Sequence, residues 1–154
     1  MTEGTVDDIH VAPASGEPVE TREAVEAVAG RGLRGDRHFH TEDRSARNRG
    51  AGLDLTLIEA EAVEAVARDF DLAFGPGEHR RNLTTRGVAL NHLVGERFLV
   101  GEVLCRGVEL CEPCRHLEGL TEDGAIEALL HRGGLRADVL QSGTVRVGDG
   151  IDPA

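Results

Sequence analysis

Cys111 and Cys114 stand in the stretch LCEPCRHLEG, with Pro113 before the second thiol and Arg115 and His116 after it. A C-x-x-C pair beside a histidine serves three chemistries. A closed zinc site takes four ligands. Cys111, Cys114 and His116 make three, the fourth has to come from His131 or elsewhere, and the chain holds no second C-x-x-C. A dithiol redox centre of the thioredoxin kind opens a helix after an early strand. Here the motif comes late, after strand-like segments, with no tryptophan before it. The third chemistry is a single reactive thiol. The cations Arg115 and His116 favour thiolate at Cys114, the form that carries sulfur or binds a soft metal. Cys105, inside a strand-like run, reads as a buried, inert cysteine.

Two other stretches resemble sites. GRGLRGD at Gly30–Asp36 satisfies G-x-G-x-x-G, but a dinucleotide fingerprint follows a buried strand and opens a helix. TREAVEAVAG before it is no obvious buried strand, and DRHFHTEDRS after it is too polar for that helix, so the glycines read as a turn needing positive φ. In DRHFH, His38 and His40 would share one face of a strand beside Asp36, yet no third metal ligand follows at a recognisable spacing, so they read as solvated.

The elements that must position these residues are short. Leu53, Leu55 and Leu57 alternate with polar residues as in a strand, after which Ile58, Ala62, Val63, Val66 and Phe70 recur at helical spacing. A helix is therefore predicted over Glu59 to Phe70, ended by FGPG. ERFLVGEVLCRGVELC predicts two strands around Gly101 with a further turn at Gly107, and TEDGAIEALLHRGG predicts a short helix around Ala125 to His131. The tail predicts a hairpin, with Val139 and Leu140 before a QSG turn and Val145 and Val147 after it. Many glycine-bounded strands with few helices point to a mainly β, barrel-like or sandwich fold with short helices, in one domain over residues 1–154.

The formal charge is −11, a field that repels nucleic acid and acidic membranes. No apolar run is long enough to span a bilayer, and MTEGTVDDIHVAP lacks the features of a signal peptide, so a cytoplasmic protein is expected. The basic residues are all arginine, and abundant Asp and Glu without lysine fits a chain adapted to high salt.

Five segments, in order, resemble the MOSC domain, named for the C-terminal domain of molybdenum cofactor sulfurase. They are GRGLRGDRH (Gly30–His38), LTLIEAEA (Leu55–Ala62), RRNLTTRGVALNHLVGERFLVG (Arg80–Gly101), CEPCRHL (Cys111–Leu117) and HRGGLRADVLQSGTVRVGD (His131–Asp149). The resemblance implies a strand-rich barrel with helices packed outside. It implies that Cys114, the cysteine after a proline late in the domain, carries sulfur or ligates molybdenum. It also implies work with the molybdenum cofactor (molybdopterin), and as partners a cysteine desulfurase or an electron-donor protein. Neither a pyridoxal-phosphate sulfurase domain nor the β-barrel domain of the mitochondrial reducing component accompanies these segments, so a minimal domain is expected.

A site for that cofactor needs cations for its phosphate and a soft ligand for its metal. The candidates are Arg81 and Asn82 first, then Arg136, with Arg115, His116, Arg132 and Arg80 in the same segments. Asn82 offers both donor and acceptor to a pterin-like edge, and Arg81 and Asn82 are expected to line one pocket with Cys114. Cys111 is the departure from the commonest pattern: it either resolves a persulfide on Cys114 or stands by. Sulfur carriage and reduction of N-hydroxylated compounds both stay open, as does a non-catalytic barrel that binds a pterin or partner with a structural cysteine pair.

Overall fold

A computed structural model of the chain describes residues 4–14, 16–39, 52, 54–70, 74, 78–111 and 131–154. In chain order these form β1 (Gly4–Val11), β2 (Glu20–Arg22), β3 (Ala24–Val28), β4 (Gly32–Leu33), β5 (Leu55–Glu59), helix α1 (Ala60–Phe70) and β6 (Leu83–Arg86). A 3-10 turn at Leu90–Leu93 leads to β7 (Arg97–Val100), β8 (Val103–Leu110), β9 (Leu135–Gln141), β10 (Gly143–Arg146) and β11 (Gly150–Pro153).

Seven strands pair edge to edge in the order β11-β7-β8-β9-β5-β6-β1, and β1 returns to β11, so the sheet closes into a barrel. The seam is short, with Gly4 opposite Ile151 and Thr5 opposite Gly150, extended by Val6 N–H donating to Asp149 O at 2.9 Å. Strand β2 adds to the other side of β1, and β10, β3 and β4 form a separate small sheet. Barrel pairings are antiparallel except β5 with β6. A parallel pair needs a crossover, and α1 supplies it. The helix buries Ala62 and Val66 and leaves Glu61 and Glu64 exposed, as its spacing predicts, but Phe70 at its end, expected on the apolar stripe, is 45% exposed.

The core is aliphatic. Val6, Ile9, Leu57, Leu83, Leu135, Val139 and Ile151 pack around Phe98, each 1% exposed or less. The mainly β, barrel-like fold read from the sequence is the one observed. No helix among the described residues is long and apolar enough to cross a membrane.

Three local expectations are corrected. Gly107 is not a turn: it lies inside β8, where the register with β9 shifts, and a Cβ there would collide with the Leu93 carbonyl oxygen. The tail hairpin does not form. β9 pairs with β8 and β5 while β10 pairs with β3, so Ser142 carries the chain from barrel to small sheet instead of reversing it. Residues 24–28 are a strand after all, half-buried with Val25 and Ala27 inward. The glycines after it behave as a turn, with Gly30, Gly32 and Gly35 at φ of 72°, 108° and 93°, and residues 36–39 just after them are not helical. The helix predicted around Ala125 lies outside the described residues, save His131, which sits in a turn.

Candidate functional site

The residues His79–Asn82 lead into β6, and all four side chains are buried. Arg81 spends its guanidinium on backbone carbonyls. Its Nε donates to Gly133 O at 2.7 Å, Nη2 to Cys111 O at 2.9 Å and Nη1 to His79 O at 3.2 Å. Cys111 and Gly133 flank residues 112–130, and the Cys111 amide donates to Gly134 O at 2.7 Å. One cation thus ties together the two points from which the C-x-x-C segment leaves and to which it returns. Gly134 makes the close approach possible: at φ 115°, a side chain there would run into the Leu57 carbonyl.

Asn82 is also framework. Its Oδ1 accepts from the Thr56 amide at 3.0 Å and the Thr56 hydroxyl at 3.2 Å, and its Nδ2 donates to His10 O at 3.1 Å. At 1% exposure its carboxamide joins β5 to β1 and turns neither edge to an open space. The contacts seen for Arg81 and Asn82 are therefore with the protein's own backbone and with Thr56. Cys114, Arg115 and His116 lie outside the described residues, as does His40. Arg136 pairs at 3.9 Å with Glu109 across the β8–β9 pair, and Arg132 stacks its guanidinium 5.5 Å from the Phe70 ring centroid. Cys111 is buried, and burial pushes the Cys105 thiol up to about 12, as an inert core cysteine requires. His38 is exposed, 3.9 Å from Asp36, and no cluster among the described residues is arranged to hold a metal ion.

Arg80 differs from its neighbour. It sits in the left-handed region at φ 63°, which a non-glycine residue adopts at some cost. Its Nη1 donates to Glu17 O at 2.7 Å, but its Nη2, fully buried, has no partner. Arg37 lies against it, donating to Arg80 O at 3.2 Å and pairing with Asp36 at 3.3 Å. Burial lowers the Arg80 pKa and Arg37 adds to this, with Asp36 opposing.

The histidines His10 and His79 were not singled out in the sequence, because no spacing connects them. Their rings meet edge to face with centroids 5.8 Å apart. His79 Nδ1 accepts the Arg81 amide at 3.0 Å, so the ring proton sits on Nε2 and is donated to Thr84 Oγ1 at 3.1 Å. Burial, then His10 and Arg81, lower its pKa to about 3. The pair therefore cannot act as base and nucleophile: the threonine receives a proton from the ring instead of losing one. His10, 2% exposed, has no partner on either ring nitrogen. Both histidines face a cavity of about 320 Å³ between β1, β6 and α1.

The MOSC domain model matches residues 36–152 of the chain. Among solved structures, the YuaD protein from Bacillus subtilis superposes with a TM-score of 0.80 at 17% identity, covering 98% of this chain and 94% of that one. YiiM from Geobacillus stearothermophilus gives 0.71 at 16% identity, covering 98% and 75%, and YiiM from Escherichia coli gives 0.67 at 18%, covering 97% and 69%. At such identities the likeness is one of fold. No curated protein matches the sequence.

Proposed function

The chain belongs to the MOSC domain family, and on that premise we propose that it acts through Cys114. The thiolate either carries sulfane sulfur or serves a molybdenum-cofactor-dependent reduction of N-hydroxylated compounds. The observation that carries the cofactor half of this reading is Arg80. A buried guanidinium nitrogen without a partner is costly, and beside Arg37 it fits an anion such as the cofactor's phosphate. Arg80 would hold that phosphate, and Cys114 would offer the soft ligand. When bound, the group supplies a redox-active molybdenum ion.

What the chain's own residues do is position and exclude. Arg81 pins Cys111 and Gly133, which sets where the segment bearing Cys114 begins and ends. Arg115 and His116 favour thiolate at Cys114. For sulfur carriage, that thiolate attacks the terminal sulfur of a persulfide on a cysteine desulfurase, whose own thiolate leaves. A resolving attack by Cys111 on the Cys114 persulfide would expel hydrosulfide and leave a disulfide. Cys111 is 3% exposed, and an attacking thiol needs an open path, so burial favours Cys114 acting alone. In the reductive alternative, an electron-donor protein is the partner.

Metal, pterin and sulfur analysis of protein purified from its native host tests the proposal. Molybdenum with pterin fluorescence, lost in Arg80→Gln and Cys114→Ser, supports the reductase arm. A mass increment of one sulfur, lost only in Cys114→Ser, supports carriage. Protein with neither is a non-catalytic binding domain, and the proposal fails.

A further inference from the structure

The connection between β1 and β2 is thinly attached. Before it, Ala12 is fixed through both backbone groups: its N–H donates to Asp36 Oδ1 at 3.0 Å, and its carbonyl accepts the Arg37 amide at 2.7 Å. After it, β2 pairs with β1 from Glu20 onward. Between these points Pro13, Ala14, Gly16, Glu17 and Pro18 are all exposed. The two prolines have no N–H to bond. The Glu17 amide stays inside the connection, donating to Ala14 O at 3.1 Å. Among the described residues, a single hydrogen bond joins these five to the rest of the molecule, from Arg80 Nη1 to Glu17 O at 2.7 Å.

That bond ends on the guanidinium whose other nitrogen is bare. Nη1 and Nη2 belong to one small planar group, so the turn seated on Nη1 lies beside Nη2 too, and Nη2 is shut from solvent without a partner. Leaving it so costs free energy in the closed arrangement. A phosphate takes both nitrogens at once in a bidentate, charge-assisted pair, stronger than one bond to a neutral carbonyl. Once let go, Glu17 O lies at the surface, where water replaces the lost bond. We propose that the β1–β2 connection is a strap over Arg80: it closes on the guanidinium through Glu17 O when no anion is bound, and lifts as Arg80 exchanges that carbonyl for an anion. The strap depends on Arg80 holding the cofactor's phosphate, as proposed above, and adds what uncovers it. Gly16 is the joint of the closed arrangement. Its φ is 81°, in the left-handed region, and a Cβ there would meet nothing within 4 Å. Alanine at 16 thus strains the closed turn without a clash. A closed strap competes with the anion, so the observed affinity is lowered in proportion to the molecules that are shut. Loosening the strap should therefore tighten binding, which a merely structural tether would not do.

Inorganic phosphate is the probe, titrated at fixed ionic strength into the full chain. The readouts are the Arg80 Nε–H resonance and the Gly16 and Glu17 amide resonances. In the wild type all three should shift along one saturation curve. Gly16→Ala should bind phosphate about fivefold more tightly, the low end of what one strained alanine supplies. Arg80→Gln should abolish the amide shifts and, without phosphate, speed hydrogen exchange at Glu17. Shifts at Arg80 with the Gly16 and Glu17 amides unmoved and equal affinity in Gly16→Ala would overturn the strap and leave the anion site standing. Weaker binding in Gly16→Ala would overturn it too, since the turn would then belong to the bound state. No shift at Arg80 in either protein would overturn the anion reading and the strap together.

Discussion

Arg80 and Arg81 are adjacent, identical in chemistry and both buried, yet the fold uses them in opposite ways. Every nitrogen of Arg81 meets a backbone carbonyl, whereas Arg80 keeps one nitrogen bare and a backbone in the left-handed region. The same contrast separates His79, bonded at both nitrogens, from His10, bonded at neither. Complete satisfaction marks a group that holds the structure together. Under the proposed function, the bare Arg80 nitrogen is the one that a bound anion would meet.

The contrast is most easily broken at Arg81. Arg81→Met strands three carbonyls and releases both flanks of residues 112–130, and should cost about 3–5 kcal/mol in urea unfolding, the scale for breaking a buried charged network. A loss below about 1 kcal/mol would show that the clasp is not structural. Next comes pH. His79 stays neutral when folded down to about 3, while its unfolded form takes up a proton near its ordinary value of 6.5. Stability is therefore full above pH 6.5 and falls as the pH drops below it, by about 1.4 kcal/mol per unit for one proton. His10, also lowered, adds in the same direction. Unfolding at pH 7 and 5.5 measures the slope, which should shrink in His79→Gln; an unchanged slope would assign it elsewhere.

Arg80→Gln sharpens the other side. It removes one bond to Glu17 O and should change stability by no more than about 1 kcal/mol, while abolishing retention of pterin by protein from the native host. A large loss of stability with retained pterin would invert the two roles. The smallest effect is expected at Cys105. With its thiol pushed up to about 12 in the core, it should stay unlabelled by iodoacetamide in native protein while Cys114 reacts, and peptide mapping reads both. Labelling of Cys105 first would remove Cys114 from the proposal.

The sequence carried the fold class further than the site. The strand-then-helix unit ending at Phe70 was legible because its apolar period switches from two to 3.6 within a few residues. QSG misled because a turn-forming tripeptide says nothing about partners: β10 finds β3, far earlier in the chain, in preference to the strand beside it. Arg81 and Asn82 stood out as residues that matter, but residue type does not reveal whether a donor meets a carbonyl or a ligand. His10 and His79 carried no signal, since only the pairing of β1 with β6 brings them together.

The seam between β1 and β11 also bears on how the molecule is made. In synthesis from the N-terminus β1 emerges long before β11, so the barrel cannot close until β11 has been joined. Throughout that interval β1 offers the backbone groups of Gly4 and Thr5 to whatever strand lies nearby. An unpaired edge of this kind is a template for a neighbouring chain. Closure depends on the most distant pairing in the sequence, and that favours slow completion. Strand β11 therefore acts as a latch, and its timing sets how long a half-built barrel is exposed to another copy of itself.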